Sequence, residues 1–337
     1  MAGKTVSGVG ERPLIELITR RLSRPDQVIL GVGDDAAALC CPPGRLLLTT
    51  DMLVEGVHFR LGFGTPGQLG YKALAVNVSD IAAMGGTPWA AVVSLALPGT
   101  LAADTVAALY EGLDRAARRF GLAVVGGDTV ASPGPVVINV ALTGYADPEA
   151  VVTRRGARPG DLVYVTGSLG AAAAGLFILE TPGSWPAEAA AFVCRRFLEP
   201  EPHLEGGRLL AAGGATALCD NSDGLAQEMH DLGRASGVGC VIYPERLPVE
   251  EPVRIIAAAA GVDVWDWALT GGEDYGLVAC VPPDRASALE NSFREAGIPF
   301  TRVGEITAGE FWTVWADGRR RPLVPAGFKH FSGDQGG

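Results

Sequence analysis

The first half of the chain alternates short apolar runs with stretches of helical spacing. Leu46–Thr50 reads as a strand ending on Asp51. Gln68–Met84 reads as a helix stopped by Gly85-Gly86, the residues expected at a left-handed C-cap. Ala90–Leu97 has the character of a strand. Asp104–Phe120 carries Val106, Leu109, Tyr110, Leu113, Ala117 and Phe120 at helical spacing. Val124-Val125 predicts a short strand leading into Gly126-Gly127-Asp128, and Val136–Gly144 predicts another. Asp147-Pro148, Arg154-Arg155 and Pro159-Gly160 then break the pattern, so two domains are expected, 1–146 and 147–337. The second half predicts strands at Asp161–Thr166, Thr216–Cys219 and Gly276–Val281. Its helices are expected at Gly170–Leu179, within Pro182–Glu201, at Gly224–Ser236 and at Ala286–Ala296. This is an α+β (mixed α/β) chain. Ser79-Asp80-Ile-Ala-Ala and Ser222-Asp223-Gly-Leu-Ala form a weak echo between the halves.

Length and composition narrow the function. A chain of 337 residues with 48% apolar and 19% charged residues can bury a sizeable core. The stretch Ile81–Ala103 is uncharged and long enough to span a bilayer, but Gly85-Gly86, Pro88 and Pro98-Gly99 break it, so no membrane segment is expected. The formal net charge of −11 argues against a general nucleic-acid or anionic-membrane binder. Six scattered cysteines without a C-x-x-C, and no apolar segment after the start, predict a reduced, cytoplasmic protein.

The carboxylates carry the chemistry. Asp34-Asp35, Asp51, Asp80, Asp128, Asp220 and Asp223 recur beside glycine or at the expected ends of strands, among small and apolar neighbours. Any one of them could simply cap a helix or make a turn. As a set, with threonine hydroxyls and only four histidines lacking a metal spacing, they suit a hard cation such as Mg²⁺ rather than zinc. Asn77 and Asp80 share a helix face with Ala73 and Met84, which predicts that this face points inward. The 46 glycines, about twice the usual share, suit backbone that approaches phosphate closely. No P-loop and no G-x-G-x-x-G is present.

In order along the chain, these segments resemble the thiamine-monophosphate kinase family, in the superfamily that includes aminoimidazole ribonucleotide synthetase. The matching stretches are Gly31–Ala37, Thr49–Phe59, Lys72–Gly85, Gly126–Thr129, Thr153–Asp161, Ser222–Leu225, Gly271–Tyr275 and Gly327–Phe331. Glu55-Gly-Val-His-Phe59 together with Gly271-Gly-Glu-Asp-Tyr275 separates this family from others in the superfamily.

The resemblance implies ATP-dependent phosphorylation of thiamine monophosphate to thiamine diphosphate with several Mg²⁺ ions. It also implies a homodimer built around a central β-barrel, with an N-terminal ATP- and Mg²⁺-binding domain and a C-terminal domain adding phosphate and substrate contacts. The implied metal positions are Asp35, Thr49, Thr50, Asp51, Asp80, Asp128, Asp220 and Asp223. The ATP positions are Tyr110, Gly127, Asp128, Arg154 and Ser222, and the thiamine-phosphate positions are His58, Glu273 and Phe328. Three places depart from the family pattern. Asn221 stands at an apolar position, Gly276 replaces a glutamate, and Gly10-Glu11-Arg12 replaces Gly-Glu-Phe. The acceptor oxygen of a phosphate monoester is already anionic, so no general base is expected, and the sequence shows no Ser/His or His/Asp constellation.

Overall fold

The computed structural model describes residues 3–32 and 36–327. Asp34, Asp35 and Phe328 therefore lie outside the described residues. The chain divides into two compact units. One comprises Met1–Ile81 with Gly86–Val151, and the other Ala82–Gly85 with Val152–Gly337.

The first unit begins with α1 (Val6–Val9), α2 (Glu11–Thr19), β1 (Val28–Leu30) and β2 (Ala38–Leu39). It continues with β3 (Arg45–Val54), α3 (Pro66–Ala83), β4 (Thr87–Pro98), α4 (Ala103–Phe120), β5 (Ala123–Ser132) and β6 (Val137–Ala146). Four strands make one sheet in the order β3-β6-β4-β5, with β4 and β5 parallel and the other pairs antiparallel. On β3, alternation sends Leu47, Thr49, Asp51 and Leu53 to the more buried face and Leu46, Leu48, Thr50 and Met52 to the exposed one. The uncharged stretch is thus the end of α3, a turn at Gly85-Gly86 and strand β4. No described helix is long and apolar enough to cross a membrane.

Helices α3 and α4 meet through glycine. A Cβ on Gly112 would strike the carbonyl of Gly67, and one on Gly70 the carbonyl of Leu109. Beside this crossing Tyr71 packs on Phe120 with ring centroids 5.7 Å apart.

The second unit holds β7 (Leu162–Thr166), α5 (Ala171–Glu180), α6 (Ala187–Leu198), α7 (Leu204–Ala212), β8 (Ala217–Asp220) and α8 (Leu225–Ser236). These are followed by β9 (Gly239–Ile242), α9 (Glu251–Ala260), α10 (Val264–Thr270) and β10 (Leu277–Val281). The last elements are α11 (Pro283–Glu295), β11 (Phe300–Thr307), β12 (Phe311–Val314) and β13 (Arg320–Pro322). A seven-stranded mixed sheet runs β13-β12-β9-β11-β7-β10-β8. Strand β10, paired between β7 and β8, is buried along its whole length, which explains the unbroken apolar run Leu277–Val281. All six cysteines are free, and Cys219, Cys240 and Cys280 pack as small apolar side chains in the core.

Two expectations are corrected. Asp51 and Asp128 do not stand at strand ends. β3 continues to Val54 because all ten of its residues pair with β6, and β5 runs through Gly126-Gly127-Asp128 because β4 pairs with it beyond the glycines. The echo between Asp80 and Asp223 also joins unlike settings, since Asp80 lies near the end of α3 whereas Asp223 precedes α8.

Candidate active site

In the first unit, β3 and α3 bring the hard oxygen donors together. Thr49 Oγ1 donates to Asp80 Oδ2 at 2.5 Å. The Asp51 backbone N–H donates to Asn77 Oδ1 at 3.0 Å, and Asn77 Nδ2 donates to the Ala73 carbonyl at 3.1 Å. Asn77 is fully buried, so the inward face predicted from Ala73, Asn77 and Asp80 is present, with the amide as a brace between helix and strand. Thr50 points to the other face, where Oγ1 donates to the Val140 carbonyl at 2.9 Å.

Asp128 is not gathered with these residues. It pairs across the sheet with Ser94, which pairs with Asn139, which pairs with Met52. Three strand spacings put it about 14 Å from β3. Among the described residues no group of three or more His, Cys, Asp or Glu forms a metal cluster. Thr49, Asp51 and Asp80 nevertheless suit Mg²⁺, which takes one or two carboxylates and completes its shell with water and phosphate oxygens.

The loop after β3 holds His58. Its Nδ1 accepts the Val54 N–H at 3.0 Å. Glu55 Oε2 accepts the Val136 N–H at 3.0 Å, so the family-specific stretch Glu55–Phe59 is tied to the sheet end. Tyr110 lies on the apolar stripe of α4 and is buried, and burial pushes its phenol up to about 12. Gly127 is exposed on β5.

In the second unit, two distant motifs are hydrogen-bonded to each other. The Glu273 N–H donates to the Ser222 carbonyl at 2.7 Å, the Tyr275 N–H to the Asn221 carbonyl at 3.1 Å, and the Asn221 N–H to the Gly276 carbonyl at 2.8 Å. Asp220 and Asp223 thus stand beside the turn that carries Glu273. That turn holds Glu273 at φ 66 and Tyr275 at φ 51, both in the left-handed region. Asp274 between them accepts the N–H groups of Gly170 at 2.6 Å and Ala172 at 3.0 Å, clamping the turn to the start of α5. Burial pushes its carboxyl up to about 7 against those donors.

Two of the three departures from the family pattern meet here. A Cβ at Gly276 would lie 2.5 Å from the Thr166 carbonyl, so this backbone has no room for a glutamate. Asn221 is buried, and neither its Oδ1 nor its Nδ2 has a hydrogen-bond partner among the described residues. An unsatisfied buried amide costs about 1–3 kcal/mol. Asn221→Val is therefore expected to raise the urea midpoint, stabilising the chain by about 1 kcal/mol or more. A lower midpoint would contradict this account of the amide.

Sequence reasoning missed Glu228, which the structure places at the centre of the second cluster. Its side chain is 1% exposed. It accepts the Asp223 N–H at 3.1 Å and the Ser222 hydroxyl at 3.3 Å, and it lies 3.6 Å from Arg154 Nη2. Burial, then the neighbouring Asp220 charge, pushes its carboxyl up to about 7. A glutamate in the first turn of an amphipathic helix reads as a solvated residue, and its distance from Ser222 fits no capping-box spacing. Asp274 was likewise legible only as a motif letter.

Comparison with known proteins agrees with this layout. Residues 33–146 match the model of the AIR synthase related protein N-terminal domain, and residues 158–315 match that of its C-terminal domain. The thiamine-monophosphate kinase of Mycobacterium tuberculosis is 40% identical over 313 residues, covering 93% of this chain and 92% of its own. The crystal structure of thiamine-monophosphate kinase from Stenotrophomonas maltophilia superposes with a TM-score of 0.80 at 32% identity, over 90% of this chain and 95% of that one. The structure of AaThiL complexed with AMPPCP and TMP superposes with a TM-score of 0.75 at 31% identity, over 98% of this chain and 100% of that one. The chain belongs to the thiamine-monophosphate kinase family of the AIR synthase related proteins.

Proposed function

We propose that this chain transfers the γ-phosphoryl group of ATP directly, in line, to thiamine monophosphate, giving thiamine diphosphate and ADP. The observation that carries this reading is the likeness, over nearly the whole chain, to a relative complexed with AMPPCP and TMP. The family-specific stretches Glu55–Phe59 and Gly271–Tyr275 support it, each held by backbone hydrogen bonds.

The proposed Mg²⁺ ligands are Asp35, Thr49, Thr50, Asp51, Asp80 and Asp128 in the first unit and Asp220 and Asp223 in the second. Bound Mg²⁺ would neutralise charge between the two polyanionic substrates. The chain's own residues then act by binding and orientation. Arg154 offers a planar donor fork to the ATP phosphates, and Ser222 a hydroxyl, alongside Tyr110, Gly127 and Asp128. His58, Glu273 and Phe328 are the proposed contacts to thiamine monophosphate. The acceptor oxygen is already ionised, so no side chain has to remove a proton. The expected site of action is the cytoplasm. ADP release should rise when thiamine monophosphate is added to enzyme, ATP and Mg²⁺. Equal release with and without the acceptor would contradict the reading.

We also propose a homodimer closed through the exposed face and edges of the four-stranded sheet. Leu46, Leu48 and Met52 on that face are 68%, 72% and 55% exposed, an apolar patch that a monomer seldom displays. Two four-stranded sheets joined at their edges would make an eight-stranded barrel and remove those edges. Sedimentation is expected to show a dimer for the parent chain and a monomer for Leu48→Asp. A dimer that survives the substitution would rule out this face.

A further inference from the structure

Glu228 presents an unusual expense for a helix residue. It sits on the same helix as Leu225, Met229 and Leu232, all fully buried, where an apolar side chain would pack without desolvating a charge. Its surroundings add Asp220 and Asp223, which repel it. What the carboxylate obtains in return is geometric. One oxygen, Oε1, accepts from both the Asp223 N–H and the Ser222 hydroxyl. The other, Oε2, has no hydrogen-bond partner among the described residues and faces the Arg154 guanidinium at 3.6 Å.

The far end of the same helix grips the same segment. Ser236, the last residue of α8, donates from Oγ to the Arg154 carbonyl at 3.2 Å. Ser236 Oγ in turn accepts the N–H groups of Gly156 at 3.1 Å and Ala157 at 3.2 Å. Arg154 is thus held at its backbone by one end of α8 and at its head group by the other. Its side chain remains 49% exposed and able to reach a ligand.

We propose that Glu228 is a positioning residue for nucleotide binding: through one buried carboxylate it fixes Arg154, Ser222 and the start of the Asp223 segment in a single arrangement. This rests on the reading of Arg154 and Ser222 as ATP contacts. Glu228 itself touches neither substrate, and Glu273, which faces the acceptor in that reading, is not among its partners in these hydrogen bonds.

The test is a double-mutant cycle on the full chain, read by calorimetric ATP binding and by the KM values for ATP and thiamine monophosphate. Glu228→Gln keeps an acceptor for Ser222 and Asp223 and removes the charge that holds Arg154. It is expected to weaken ATP binding about tenfold and to leave the thiamine monophosphate KM within about twofold. Arg154→Gln is expected to weaken ATP about tenfold as well, and the double variant to fall no more than about twofold below Arg154→Gln alone. Independent effects, about a hundredfold in the double variant, would overturn the proposal. So would equal rises in both KM values, or a lower melting temperature with unchanged ATP affinity. If Glu228→Gln does not fold, Ser236→Ala releases the same segment without touching a buried charge. It should weaken ATP about threefold, and an unchanged affinity would overturn the proposal. ATP binding needs no acceptor. If the parent chain binds ATP and the cycle couples while no thiamine diphosphate forms, the reaction assignment fails and the positioning role stands.

Discussion

Asp80→Asn is expected to lower kcat by about 10²–10³-fold while leaving the urea midpoint almost unchanged. The side chain keeps its size, and an amide oxygen can still accept the Thr49 hydroxyl that Asp80 Oδ2 accepts at 2.5 Å. Keeping this hydrogen bond spares the fold its loss, worth about 1 kcal/mol. What disappears is the negative charge on the oxygen pair formed by Thr49 and Asp80, where a hard cation would be held. Asp51→Asn should behave in the same way, because the link from β3 to Asn77 uses the Asp51 backbone N–H and not its carboxylate. Steady-state kinetics beside urea titration separate the two quantities. A variant that is destabilised yet retains its kcat would count against the metal assignment.

The second large effect concerns folding alone. Gly112→Val is expected to destabilise the chain by about 3 kcal/mol or more. At this crossing of α4 over α3 the new Cβ would collide with the Gly67 carbonyl, and backbone on one helix cannot yield without moving the other. Arg119→Val on the exposed side of α4 is the control for the poorer helix propensity of a β-branched residue, a cost below about 1 kcal/mol. Urea midpoints for the two variants within about 1 kcal/mol of each other would show that the close approach does not limit packing here.

The residues differ in how plainly they announce their setting. The stripe Val106, Leu109, Tyr110, Leu113, Ala117, Phe120 gives α4 to within a residue of its observed start, because burial of one face is what helical periodicity records. Asn77 and Asp80 were placed on an inward face by the same reasoning, and the brace to β3 follows from it. Strand limits were harder to read. Asp51 and Gly126-Gly127-Asp128 look like the ends of strands, since Asp and Gly favour turns, yet both lie inside strands held by their neighbours. Short elements such as α10 and β12 carry too few residues for a period to show. Strand order in the seven-stranded sheet joins β9 to β11 and β12, and β7 to β10, pairings that no local pattern encodes.

The site was legible as a set of motifs and not as a set of contacts. Spacing alone did not reveal that Ser222 and Glu273, fifty-one positions apart, share a backbone hydrogen bond. Nor did it reveal Glu228, whose charge reads as solvated although its spacing from Leu225 and Leu232 sets it on the buried face of α8. Asn221 and Gly276 looked like two separate departures from the family pattern. They are hydrogen-bonded neighbours, and the carbonyl of Thr166 beside Gly276 leaves no space for the side chain that the pattern would place there.

The central claim is tested most directly by product analysis. Purified protein is incubated with ATP, Mg²⁺ and thiamine monophosphate, and thiamine diphosphate and ADP are quantified together, beside controls lacking the acceptor. The account predicts that the two products accumulate in equal amounts, and that Asp80→Asn lowers both by about 10²–10³-fold. ADP formed without thiamine diphosphate, or a phosphorylated enzyme that passes its phosphate on to thiamine monophosphate, would contradict it.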